Sequence, residues 1–161
     1  MSVDTATEPE RVWMGRAIEL ATTSVAAGGG PFGALIVRDG EIVATGANRV
    51  TTDLDPTAHA EVTAIRNACR ELGEFSLPGC VLITSCEPCP MCLSSALWAR
   101  VDRILYAADR ADAAAAGFDD RAFHEALRDP AKLPVPVERV STPDRNNAFD
   151  AWLAKEDRID Y

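Results

Sequence analysis

Three cysteines crowd the stretch CEPCPMC, at Cys86, Cys89 and Cys92, and a histidine and a glutamate, His59 and Glu61, stand upstream in TAHAEV. Cys89 and Cys92 are three positions apart at the expected start of a helix. That spacing puts both side chains on one face. Two thiolates so placed can grip one soft or borderline cation, and a helix N-terminus favours thiolate over thiol. Pro88 suits the helix entry, where its missing N–H costs little. His59 precedes Cys89 by thirty positions (89 − 59). On an ideal helix His59 and Glu61 diverge, but at a first turn both reach past the helix end. His59 can then ligate the metal while Glu61 stands beside the open coordination position.

Two thiolates, one imidazole and a water make a catalytic zinc arrangement. Thiolate and imidazole favour zinc over magnesium or calcium. An open position lets such a metal lower the pKa of its water toward ~7, and a carboxylate within hydrogen-bond distance can take that proton and hand it on. His-x-Glu followed by Pro-Cys-x-x-Cys is the signature of zinc nucleobase deaminases, and this sequence matches it at every position. Two blander readings remain open at this point. Cys86 could supply a third thiolate and close a structural Cys₃His site, which would leave Glu61 without a task and water without a place. A redox Cys-x-x-Cys would need neither His59 nor Glu61. Cys69 and Cys80 read as core fillers, and His124, in an acidic helix, as a surface residue.

These residues need elements to hold them. ERVWMGRAIELATTSVAAG places Val12, Met14, Ala17, Ile18, Ala21 and Val25 near helical spacing, and GGGPFG stops that helix. GALIVRDGEIVATGAN predicts two strands joined by a turn at Asp39-Gly40. Residues 49–55 read as polar loop, with a helix start at Pro56-Thr57. HAEVTAIRNACREL predicts a helix buried through Val62, Ile65 and Cys69. CVLITS reads as a short apolar strand, CPMCLSSALWAR as helix and RILYAA as strand. ADAAAA and DDRAFHEALRD read as helices, and LPVPVERV as an edge strand, since its prolines cannot donate to a ladder. The tail NNAFDAWLAKEDRIDY is amphipathic through Phe149, Trp152 and Leu153. Strands alternating with helices after a hairpin imply a mixed sheet covered on both faces.

The totals narrow the classes. At 161 residues the chain reads as one domain with a real core. Sixteen Lys and Arg against twenty-five Asp and Glu give 16 − 25 = −9. A chain so acidic, with no basic run, is a poor partner for a phosphate backbone. The N-terminus lacks a basic region followed by an apolar core, so no signal peptide is expected, and no apolar stretch approaches the ~18 residues of a membrane span. Five cysteines, three of them bunched, fit reduced thiols in the cytoplasm better than a disulfide framework.

The chain resembles the cytidine deaminase-like superfamily of zinc hydrolases, and within it the bacterial guanine deaminases, nearly end to end. The stretches that carry the resemblance are GGPFGA, NRVTTDLDPTAHAEVTAIRNAC, TSCEPCPMCLSSALWAR, YAADRADAAAAGFDD and AWLAKEDRIDY. The zinc signature identifies the superfamily; GFDD and the C-terminal tyrosine narrow it. The resemblance implies a three-layer α/β/α fold with a mixed five-stranded sheet. It implies zinc on His59, Cys89 and Cys92, with Glu61 as proton shuttle in the hydrolysis of guanine to xanthine and ammonia. Cys86 falls where superfamily members vary. A homodimer is implied, with the C-terminal segment from about residue 143 exchanged between subunits, so that Tyr161 completes the partner's pocket.

Substrate contacts follow from residue chemistry and the resemblance together. Phe32, just before the hairpin, could stack on a purine or simply fill the core. Asn48 carries an amide that can read adjacent ring positions or cap a loop. The resemblance also puts Ala60 among the substrate contacts. In GFDD, Gly117 permits an unusual backbone angle, Phe118 could wall the pocket, and Asp119 or Asp120 could accept from substrate N–H groups. Asp120 is the better match to the motif, although the aspartate pair could equally cap a helix. An ionised carboxylate only accepts, so it favours an N–H-rich edge such as guanine's over cytosine's. Other substrates stay open: guanosine, a triazine such as ammeline, or a tRNA adenosine, which the charge disfavours. A structural-zinc interaction domain with no activity is the alternative outside enzymes.

Overall fold

The structure, a computed structural model, describes residues 6–161; the first five residues of the N-terminal reading lie outside it. Helix α1 (Glu8–Ala26) opens with a capping box in which the Thr7 hydroxyl accepts from Glu10 N–H and the Glu10 carboxylate accepts from Thr7 N–H. Its buried stripe is Glu10, Ala17, Ala21 and Ser24, whereas Val12, Ile18 and Val25 of the expected stripe are exposed. The reason is close approach. A Cβ on Gly33 would lie 2.3 Å from the Ala17 carbonyl oxygen, so α1 meets the sheet through its smallest side chains.

Strands β1 (Gly33–Arg38) and β2 (Glu41–Ala47) form the expected antiparallel hairpin. Asp39 and Gly40 both take positive φ, 52° and 81°, as a two-residue turn of type I′ requires. The polar segment contains a short helix, α2 (Val50–Asp53). Helix α3 (Ala60–Leu72) begins later than Pro56-Thr57, because Asp55 first draws Thr57 N–H and Ala58 N–H into a turn. Strand β3 (Cys80–Cys86), helix α4 (Pro90–Trp98) and strand β4 (Arg103–Ala108) follow. Pro90, not Pro88, takes the first helical position of α4. Helices α5 (Arg110–Ala115), α6 (Arg121–Arg128) and α7 (Asn147–Ala154) complete the described elements, with one 3₁₀ turn at Pro130–Lys132 before the last.

The sheet runs β2-β1-β3-β4, with β1 antiparallel to both neighbours and β3 parallel to β4. Alternation along the strands splits the core in two. Leu35, Val37 and Ile83 pack with Ala17 of α1 on one face. Ala34, Ile36 and Leu82 pack with Ala60, Ala64, Ile65, Ala68 and Ala96 of α3 and α4 on the other. The architecture is therefore three-layer α/β/α around a mixed sheet. The described residues form four strands rather than five. LPVPVERV pairs with nothing and exposes Val135, Val137 and Val140. Pro134 and Pro136 remove two N–H donors from one edge, and the remaining alternate residues cannot sustain a ladder.

Candidate active site

Two helix N-termini meet at the site. His59 is the N-cap of α3 and Cys89 the N-cap of α4, both in extended backbone, and neither side chain caps its own helix. Each is therefore free to point beyond its helix end. Cys92 sits one turn inside α4 and is fully buried. The sheet fixes the meeting point through Gly46 of β2, where a Cβ would lie 2.2 Å from Ala60 O and 2.4 Å from Ala64 N. The backbone of α3 thus rests directly on the strand, which sets where its first turn ends.

The ligand atoms of His59, Cys89 and Cys92 all lie within 4.8 Å of one another. His59 Nδ1 is 3.6 Å from Cys89 Sγ and 3.5 Å from Cys92 Sγ. A tetrahedral zinc with bonds of about 2.3 Å to sulfur and about 2.0 Å to nitrogen separates such atoms by ~3.6 Å. The residues therefore fit zinc in donor type and in spacing. Cys86 stands apart: its thiol donates to the Asp109 carbonyl at 3.7 Å, and burial pushes its pKa up to about 11. The closed Cys₃His arrangement is not built here.

Protonation follows the crowding. A hydrogen bond from Cys92 lowers the Cys89 thiol to about 4, with His59 adding to the effect. Cys92 is pushed the other way, first by that same bond and then by burial. The two shifts have opposite sign because the sulfurs share a hydrogen bond, and a bound cation would take the place of the proton between them. His59 is raised, chiefly by its contact with Cys89.

Glu61 lies two residues beyond His59, in the first turn of α3, and is buried. Its Oε2 accepts from the Cys92 thiol at 3.3 Å and its Oε1 from the Thr84 hydroxyl at 3.2 Å. Burial raises its pKa above the usual carboxylate range. A carboxylate touching the ligand cluster, with its affinity for a proton increased, is placed to move protons.

The structure also places the remaining residues. Phe32 and Phe118 meet edge to face, with ring centroids 5.0 Å apart. GFDD is thereby joined to GGPFGA although 85 positions separate the two rings (118 − 32 = 86, less one). Asn48 is buried; its Oδ1 accepts from Gly30 N–H and Val50 N–H, both at 3.3 Å. The loop-capping role is thus real, and the Nδ2 donors are the half of the amide that a ligand can use. Ala60 opens α3, so its N–H has no partner within the helix. Asp119 is committed to Arg121, through both its backbone N–H and its guanidinium. Asp120 instead faces His124, with Oδ2 3.0 Å from Nε2. His124 is accordingly half-buried and not the surface residue expected. Tyr161 packs against Trp98 and Trp152, each at 6.4 Å between centroids. Trp98 ends α4, nine residues from Cys89, or ~13 Å along the axis.

Sequence reasoning missed two hydroxyls near the C-terminal end of β3. Thr84 holds Glu61, and Ser85 accepts from Gly33 N–H at 3.1 Å, anchoring the loop that carries Phe32. The only sequence signal was a polar pair closing an otherwise apolar strand. Two surface depressions lie elsewhere, one of about 560 Å³ along Pro130–Val137 and one of about 240 Å³ beside Trp98. Neither is lined by His, Cys, Asp or Glu, so neither competes with the cluster as a site of metal chemistry.

Comparison with known proteins agrees with this geometry. Residues 7–108 match the cytidine and deoxycytidylate deaminase zinc-binding region. The chain is 51% identical over 148 residues to guanine deaminase of Bacillus subtilis, covering 91% of this chain and 95% of that enzyme. The crystal structure of that enzyme superposes with a TM-score of 0.91 at 49% identity, over 94% of this chain and 98% of the other. Guanine deaminase from Nitrosomonas europaea matches at TM-score 0.66 and 34% identity, over 83% of this chain and 70% of that one. The tRNA-specific adenosine deaminase of Aquifex aeolicus is 44% identical over 78 residues, 48% of this chain and 52% of that protein.

Proposed function

The chain belongs to the zinc-dependent cytidine and deoxycytidylate deaminase family, and on that premise we propose that it hydrolyses guanine to xanthine and ammonia. One observation carries the choice of guanine. The similarity to a guanine deaminase spans 91% of the chain, whereas the tRNA-specific relative matches over 48%. The net charge of −9 also disfavours a polyanionic substrate.

His59, Cys89 and Cys92 would hold the zinc, which when bound supplies the Lewis acidity that makes water a nucleophile near neutral pH. Glu61 takes the proton that the attacking water gives up. It gives that proton to the ring nitrogen beside C2, takes the second proton from the hydroxyl now on C2 and gives it to the departing amino group, and so ends the cycle ionised as it began. Burial suits it to the task, because it raises the carboxylate's affinity for the proton it must accept. Of the edge-to-face pair Phe32 and Phe118, one ring can offer its apolar face to the purine and the other brace it. The Nδ2 of Asn48 and the N–H of Ala60 can donate to ring acceptors, while Asp120 accepts from ring N–H groups.

The active unit is a homodimer in this proposal, with the segment from about residue 143 exchanged. Tyr161 touches the far end of α4 in its own chain, and Val137, Phe149, Leu153 and Ile159 are exposed. Such a surface is the kind a second subunit covers. Five free cysteines suit the reducing cytoplasm.

The test is ammonia release from guanine, guanosine, adenine, cytosine, cytidine and ammeline, with zinc assayed alongside. The proposal expects guanine to be the preferred substrate and xanthine to form in equal amount. Greater turnover of ammeline or guanosine would reassign the substrate, and a zinc-loaded chain inert to all six would end the enzymatic reading.

A further inference from the structure

We propose that Thr84 is a positioning residue for Glu61, dividing the two carboxylate oxygens into one that is anchored and one that works. Thr84 lies in β3, between Ala34 of β1 and Tyr106 of β4, and is fully buried. Its side chain points to the α3 face, the face that Leu82 shares two positions earlier. Its fully buried strand neighbours on that face, Ala34, Ile36 and Leu82, are apolar, and a valine would fill the same volume. The hydroxyl is therefore not explained by packing. A buried hydroxyl costs stability unless it is bonded, and the partner of Thr84 Oγ1 is Glu61 Oε1 at 3.2 Å.

The consequence is an asymmetry in the carboxylate. Oε1 is held from the sheet, by a β-branched residue with few accessible rotamers. Oε2 faces Cys92, on the side of the ligand cluster. With Oε1 fixed, the plane of the carboxylate is fixed, and Oε2 is the oxygen presented for proton transfer. A sub-ångström error in such a group is expensive in rate, since misplacement by about 1 Å costs on the order of 100-fold. The support comes from β3, one of the two inner strands of the sheet, and not from a loop.

This inference rests on Glu61 being the proton shuttle, and the experiment separates the two. Thr84→Val, Thr84→Ser and Glu61→Gln are compared with the unaltered zinc-loaded protein for kcat, KM, zinc content and thermal midpoint. T84V is expected to bind one zinc per chain, to change KM by less than about twofold and to lower kcat by about 10- to 100-fold, the range seen when a group supporting an active residue is lost. T84S restores the hydroxyl and is expected to recover most of kcat. A T84V protein with unaltered kcat overturns the proposal. So does one that loses zinc, because Thr84 would then support the ligands, or one that raises KM alone. E61Q reports on the premise: if it keeps a near-normal rate, the shuttle assignment fails whatever T84V does. If E61Q is inactive and T84V is normal, only the role of Thr84 fails. Should T84V not fold, T84S against the unaltered protein still decides, since retained kcat with a retained hydroxyl is required.

Discussion

At the residue scale the outcome depends on which groups are already committed. Asp119 and Asp120 are adjacent and chemically identical, yet Asp119 is spent on Arg121 in an exposed pair, which carries little energy. Asp120 has one carboxylate oxygen, Oδ2, against His124, and the proposal gives the other to the ligand. Asp119→Asn is therefore expected to leave KM for guanine within about twofold. Asp120→Asn should raise KM by about tenfold or more, because a hydrogen bond to a charged group is lost; steady-state kinetics on both variants decide, and the reverse pattern would exchange the assignments. His59, Glu61, Cys89 and Cys92 were legible in the sequence because donor chemistry and spacing are printed there. The commitment of Cys86 was not, since its partner Asp109 is brought in by the fold; the loop-capping role of Asn48 was one of the two readings its amide allowed, and Asp119 is held by Arg121 only two positions on. Thr84 was invisible for the same reason as Cys86: in a sequence, a threonine in a strand is unremarkable.

At the element scale the site depends on how closely helices approach the sheet. The hairpin, α3, α4 and β4 were legible through periodicity and turn residues. The face of α1 was misjudged, because hydrophobic spacing ranked Val12 and Ile18 above the alanines, whereas close packing at Gly33 selects Ala17 and Ala21. The fifth strand failed where prolines deplete the ladder. Gly46 makes the matching contact on the α3 side, and a methyl group there meets backbone that cannot move aside cheaply. Gly46→Ala is expected to lower stability by about 1–3 kcal/mol through overpacking. It should also reduce zinc retention, because α3 carries His59. Denaturant unfolding with metal analysis checks both; a variant of unchanged stability and zinc content would show that α3 is not held by this contact.

At the scale of the whole molecule, the described residues form a zinc-signature core followed by a C-terminal third whose large apolar side chains, among them Val137, Phe149, Leu153 and Ile159, are exposed. No described helix is long and apolar enough to cross a membrane. The proposed exchange of the tail makes a sharp prediction. E61Q chains keep their tails, and chains lacking Tyr161 keep Glu61, so each parent should be impaired. Co-expressed, they form mixed dimers in which one site has both Glu61 and a partner's Tyr161, and activity should return. Mixed dimers as poor as their parents would place Tyr161 with its own chain. The account as a whole stands on the metal centre, and X-ray absorption at the zinc edge examines it most directly. One zinc per chain is expected, with two sulfurs at about 2.3 Å and two nitrogen or oxygen atoms at about 2.0–2.2 Å. A third sulfur in the shell would contradict the account, because Cys86 would then close the position that water must occupy.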